Sequence, residues 1–169
     1  GVQTCALPIF GHAISLAFIS EGAIVLAGYR GDVSKLDELI FELNDEQKNR
    51  VIPICLELGN IHQCKKAITD VLEKVGEINI LVNCAGLAVE KPFMLTEFEE
   101  IDKQTEANFV APLKLTQLIL RNMILNRDGC IINVSSVHGF RFGRGVAVYA
   151  ATKSAIERYT QALALEVGQ

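Results

Sequence analysis

Apolar residues along the chain alternate between two spacings. The runs Ile24–Ala27, Val51–Leu56, Ile78–Val82 and Cys130–Val134 are short, rich in β-branched residues and nearly continuous, which predicts strands buried on both faces. Between them the spacing is helical. Ser34 is expected to cap a helix that carries Leu36, Leu39, Ile40 and Leu43 on one face. A helix from about Ile61 turns Cys64, Ile68, Val71, Leu72 and Val75 inward, and Thr96 opens a further helical region. A long helix is predicted from about Thr105 to Asn126, and a last one from about Val148 to Val167. Strands alternating with helices predict an α/β fold, a doubly wound parallel sheet of Rossmann type. Ligands in such folds sit beyond the carboxyl ends of the strands, here after Ala27, Leu56, Val82 and Val134.

Composition narrows this picture by exclusion. The 169 residues suffice for one domain with a real core. A net charge of −4 and no lysine/arginine cluster give no reason to expect nucleic acid or a membrane surface as partner. No apolar run approaches the roughly 20 residues of a spanning helix, and no basic segment precedes the first apolar stretch as in a secretory signal. Cys5, Cys55, Cys64, Cys84 and Cys130 have no metal-type spacing, so no metal site is expected. They read as reduced thiols of a cytoplasmic protein.

Chemistry-bearing residues fall where the fold class places a site. Asn83-Cys84-Ala85-Gly86 follows the third predicted strand, and its small residues allow either a ligand or a plain turn. Asn133-Val134-Ser135-Ser136 brings two hydroxyls to the end of the fourth, as site groups or as turn residues. Tyr149 and Lys153 stand at i and i+4 on one helix face. A cation beside a phenol favours the phenolate, and such a pair can give a proton to a carbonyl or take one from an alcohol. Asn108 lies in an apolar helix just ahead of Pro112, where a bend is expected. A buried asparagine needs partners, in a site or simply in the core.

In this order and spacing, these residues resemble the short-chain dehydrogenase/reductase family from about Gly11 onward. Asn83-Cys84-Ala85-Gly86 is similar to the family's Asn-Asn-Ala-Gly, with Cys84 in place of the second asparagine. Ser136, thirteen residues before Tyr149, matches the catalytic serine, with Ser135 its non-catalytic neighbour. Tyr149 and Lys153 match the Tyr-x-x-x-Lys pair, and Asn108 the fourth member of the catalytic tetrad. The resemblance implies hydride transfer between a nicotinamide and a carbonyl or secondary alcohol. Tyr149 would act as acid or base, Ser136 would bind the substrate oxygen, Lys153 would assist Tyr149 and hold the nicotinamide ribose, and Asn108 would anchor a relay water. It also implies cofactor contacts by Gly11, Tyr29, Arg30, Glu57, Leu58, Asn83, Ala85 and Gly86. Tyr29 takes the position where an acidic residue would bind the ribose 2′-hydroxyl, and Arg30 follows, which favours NADP over NAD. Asp32 is close enough in sequence to reach the ribose instead. Glu57 takes the place of an aspartate near the adenine.

The start departs from the family pattern. In Thr-Gly-x-x-x-Gly-x-Gly, Gly11 fits the last glycine, but Cys5 and Ile9 hold the other two glycine positions and Pro8 lies in the loop. Too few residues precede Thr4 for a normal strand, so between the Ile24–Ala27 and Ile78–Val82 strands we expect a gap or an improvised pairing by Val2–Leu7. Gly1–Ile9 also matches the translation of a common sequencing adapter. Residues 1–9 are therefore expected not to be native, leaving 10–169 as one core domain, incomplete at both ends by the family pattern. The 169-residue chain alone is expected to bind NADP(H) weakly or not at all. The complete protein is expected to be an NADP(H)-dependent oxidoreductase, for instance a 3-oxoacyl thioester reductase, and a homodimer or homotetramer. The alternatives are a non-catalytic cofactor-binding scaffold and another chemistry on this fold. His138, Arg141 and Arg144 read as loop residues, and the Glu97, Glu99, Glu100 and Asp102 cluster as a solvated helix start.

Overall fold

The computed structural model describes residues 2–5, 9–31, 33–57 and 60–168, the first four by backbone alone. The strands are β1 (Val2–Cys5), β2 (Val25–Tyr29), β3 (Val51–Cys55), β4 (Ile80–Asn83) and β5 (Cys130–Asn133). The helices are α1 (Ile9–Ser20), α2 (Ser34–Phe41), α3 (Asp45–Lys48), α4 (Ile61–Val75), α5 (Phe98–Thr105), α6 (Ala111–Asn126) and α7 (Ala147–Val167). The strands form one sheet in the order β3-β2-β1-β4-β5. The β1–β2, β1–β4 and β2–β3 pairs are parallel. This is the α/β architecture the alternating pattern predicts. The chain divides into two compact units, residues 1–85 with 115–132, and residues 86–114 with 133–169.

In the first unit, Leu26, Ile54, Ile68, Leu81, Leu115 and Ile119 build the main core, and Ala27, Leu36 and Leu39 a second cluster. The caps of α4 follow from its flanking residues. Asn60 accepts the Gln63 N–H at 3.2 Å, and Gly76, at φ +79°, ends the helix with its N–H on the Leu72 carbonyl at 2.8 Å. Pro53 is tolerated in β3 because that strand lies at the sheet edge.

Of the two outcomes expected between β2 and β4, the pairing is the one seen: Val2 pairs with Val25 on one side and Ile80 on the other, in the four-residue strand β1. Other expectations are corrected. Helix α1 begins at Ile9, so Gly11 lies within its first turn. Ile9 and Phe10 lack a glycine's freedom and take the right-handed helical conformation open to them. Ser34 is the first residue of α2, and the cap position belongs to Val33, which makes no side-chain cap. β5 is not buried on both faces: it lies at the other sheet edge, with Cys130 exposed and Ile132 42% exposed. Asp32 and Leu58, as well as Gly1 and residues 6–8, lie outside the described residues.

The helical region expected from Thr96 begins at Phe98 and runs on into the long helix expected from about Thr105, which is not uniform. Residues Glu106–Val110 form a π-helical segment, with the Ala111 N–H on the Glu106 carbonyl. Pro112 has no N–H to return to Asn108, so the regular hydrogen-bond ladder is already broken there.

Candidate functional site

The second unit gathers five of the residues singled out in the sequence. Helix α7 carries Tyr149 and Lys153 one turn apart. Lys153 is only 4% exposed; its ammonium donates to the Val134 carbonyl at 2.7 Å and stands 5.8 Å from the centre of the Tyr149 ring. The carbonyl at the end of β5 thus holds the buried cation, and the ring lies within cation–π range. Asn108, 1% exposed in the π-helical segment, accepts the Leu87 N–H at 2.7 Å and donates to the Leu87 carbonyl at 2.8 Å and to Thr152 Oγ1 at 3.1 Å. Its amide therefore grips the chain just beyond Gly86 and ties it to α7. A Cβ at Gly86 would stand 3.3 Å from Asn108 Oδ1 and 3.6 Å from Lys153 Nζ, so the missing side chain is what lets the backbone approach both.

Ser136 is the N-cap of a short 3-10 turn over Val137–Gly139, in extended backbone, and its Oγ accepts the His138 N–H at 3.2 Å. Accepting that bond leaves the hydroxyl hydrogen able to donate elsewhere. The His138 ring meets the Tyr149 ring edge-on at 6.4 Å, and its buried Nδ1 has no hydrogen-bond partner among the described residues.

The first unit holds the other candidates. Tyr29 ends β2, half-buried, and its partner across the sheet is Cys55. That register brings the next residues together: Arg30 Nε lies 3.5 Å from Glu57 Oε1, both exposed. Asn83 is buried at the end of β4 and donates to Thr116 Oγ1 at 3.2 Å, while Ala85 packs against the main core. Gly11 is buried in α1, and its carbonyl accepts the Ser15 hydroxyl at 2.7 Å.

A family model described as short chain dehydrogenase matches residues 4–169. The chain belongs to the short-chain dehydrogenase family. It is 35% identical over 159 residues to the 3-oxoacyl-[acyl-carrier-protein] reductase of Thermotoga maritima, covering 93% of this chain and 63% of that protein. It is 32% identical to human L-xylulose reductase, covering 94% and 61% respectively. A crystal structure of a short-chain dehydrogenase from Streptomyces avermitilis superposes with a TM-score of 0.89 at 30% identity, over 99% of this chain and 60% of that one. The chain thus spans about three-fifths of the length of these short-chain dehydrogenase relatives.

Three side chains beside the candidate residues carry no motif signal in the sequence. Thr152 partners Asn108, while Ser154 and Glu157 reach the loop that carries Ser136. Glu157 continues the i, i+4 stripe of Tyr149 and Lys153 by one more step, the one signal in the sequence that pointed to it. No helix among the described residues is long and apolar enough to cross a membrane.

Proposed function

We propose that this chain is the nucleotide-binding and catalytic core of an NADP(H)-dependent oxidoreductase that interconverts carbonyls and secondary alcohols. The observation that carries the reading is the buried Lys153 ammonium beside the Tyr149 ring on one helix, backed by Asn108. A cation so placed stabilises the phenolate that forms when Tyr149 gives its proton to a carbonyl oxygen. Ser136 donates a hydrogen bond to that oxygen, and Asn108 anchors the relay water while fixing the Leu87 backbone. Bound NADPH supplies the hydride from its nicotinamide. The residues fit such a cofactor in two places. Gly86 offers a backbone approach beside Lys153, which would hold the ribose. Arg30, exposed after β2, would hold a 2′-phosphate once drawn from Glu57, and this favours NADP over NAD.

The similarity to a 3-oxoacyl-[acyl-carrier-protein] reductase and to L-xylulose reductase supports small carbonyl substrates, a 3-oxoacyl thioester among them. The complete protein is a homodimer or homotetramer on this reading. The native core runs over residues 10–169, which reading the genomic DNA across the locus decides. The functional test uses the protein from the complete reading frame, with NADPH and a panel of carbonyls. Turnover that falls at least about a hundred-fold in Tyr149→Phe supports the reading, since a lost general acid costs that much. Cofactor binding without turnover on any carbonyl favours the scaffold instead.

A further inference from the structure

The loop bearing Ser136 is fastened to α7 at both ends. At its start, the Ser135 hydroxyl donates to Glu157 Oε1 at 2.5 Å, with the Lys153 carbonyl as a longer second acceptor at 3.4 Å. At its far end, the Ser154 hydroxyl donates to the Gly139 carbonyl at 2.5 Å. Gly139 cannot be enlarged without disturbing this: a Cβ there would come within 2.9 Å of Glu157 Cδ and 3.0 Å of Ser135 Oγ. Inside the loop, Ser136 Oγ is held by the His138 N–H, and the Gly139 N–H returns to the Ser136 carbonyl at 2.9 Å. Glu157 and Ser154, three residues apart on α7, thus grip a turn whose middle holds Ser136. A hydrogen bond to a carboxylate is the stronger kind, so Glu157 is the main fastening.

We infer that Glu157 is a positioning residue, which fixes the Ser136 hydroxyl relative to Tyr149 and Lys153 by clamping Ser135 to the catalytic helix, while Ser154 holds Gly139. The inference rests on the proposed carbonyl reduction, in which Ser136 binds the substrate oxygen. Glu157 touches neither substrate nor cofactor in this role; it acts through the serine loop. Side-chain misplacement of about 1 Å can cost about a hundred-fold in rate.

The test uses the protein from the complete reading frame. Glu157→Ala is expected to lower kcat about ten-fold or more, with the NADPH dissociation constant unchanged. Glu157→Gln, which keeps an acceptor for Ser135, recovers most of that rate. In a Ser136→Ala background, Glu157→Ala costs nothing further, because residues acting through one another are not additive. A full additional loss there overturns the inference. Hydrogen exchange reads the clamp without any turnover: the Gly139 and Arg141 amides, bonded to the Ser136 and Val137 carbonyls, exchange faster in Glu157→Ala and in Ser154→Ala. Unchanged exchange in folded Glu157→Ala protein overturns the clamp. If the parent protein reduces no carbonyl at all, the functional reading fails, and the exchange experiment still decides whether the loop is held as described.

Discussion

A buried amide can be satisfied by backbone rather than by side chains, and at Asn108 this sets what a substitution does. Its oxygen and nitrogen together serve both polar groups of Leu87, and the nitrogen also reaches Thr152. Asn108→Ala leaves two partly buried backbone groups without their partner, at roughly 1–2 kcal/mol in total after partial access to water. Asn108→Asp is expected to be worse, since a carboxylate in this buried position faces the Leu87 carbonyl with no hydrogen to offer. Urea unfolding midpoints check the order: wild type highest, Ala lower, Asp lowest, and an Asp variant equal to wild type contradicts the account. Asn108 was legible in the sequence as a polar residue in an apolar helix; Leu87 was not, because a backbone partner leaves no side-chain signature. The Arg30–Glu57 pair was hidden for a related reason. The two residues are neighbours only through the register that sets Tyr29 beside Cys55, and spacing along one strand says nothing of register against another.

Elements were easier to read than their ends. Helix α4 starts at Ile61, as its spacing indicates, and the helical region expected to open at Thr96 starts two residues later, at Phe98. The N-terminus of α5 is a capping box: Glu97 is the N-cap, and the Glu100 side chain accepts the Glu97 N–H at 2.9 Å. Lys91 lies 2.6 Å from the same carboxylate. The Lys91 hydrogen bond first, and the Glu97 N–H second, hold the Glu100 carboxyl below its ordinary value of 4.5. A depressed carboxylate contributes stability that is fully present above the unfolded value and is lost as pH falls through the folded one. Glu100→Gln keeps an acceptor for the cap but loses the charge. Its melting temperature should therefore lie below wild type at pH 7, with the gap closing as pH drops below about 4.5. A gap that stays constant from pH 7 to pH 3 removes the ion pair from the explanation. The acidic cluster was read in the sequence as a solvated helix start; its pairing with Lys91 comes from a loop fold that periodicity cannot see.

For the whole molecule, the sheet order follows from alternating strands and helices, but its central member does not. β1 is four residues long, and α1 begins at Ile9. The sheet is closed across β2 and β4, yet closing a sheet and binding a pyrophosphate make different demands. Pairing needs only backbone N–H and C=O groups, which any sequence supplies, so Val2–Cys5 can fill the position without the family's residues. Phosphate binding needs a loop whose backbone comes close to the ligand ahead of a helix N-terminus, and that takes glycines. Cys5 and Ile9 hold two of those three positions, with Gly11 left inside α1. The 169-residue chain should therefore bind NADPH with a dissociation constant well above the low micromolar range. The Cys5→Gly and Ile9→Gly pair should tighten it by about ten-fold, which corresponds to about 1.4 kcal/mol. Fluorescence titration of both proteins measures this directly. Low-micromolar binding by the unaltered chain would contradict this account, since it would show that the nucleotide does not need the glycine loop ahead of α1.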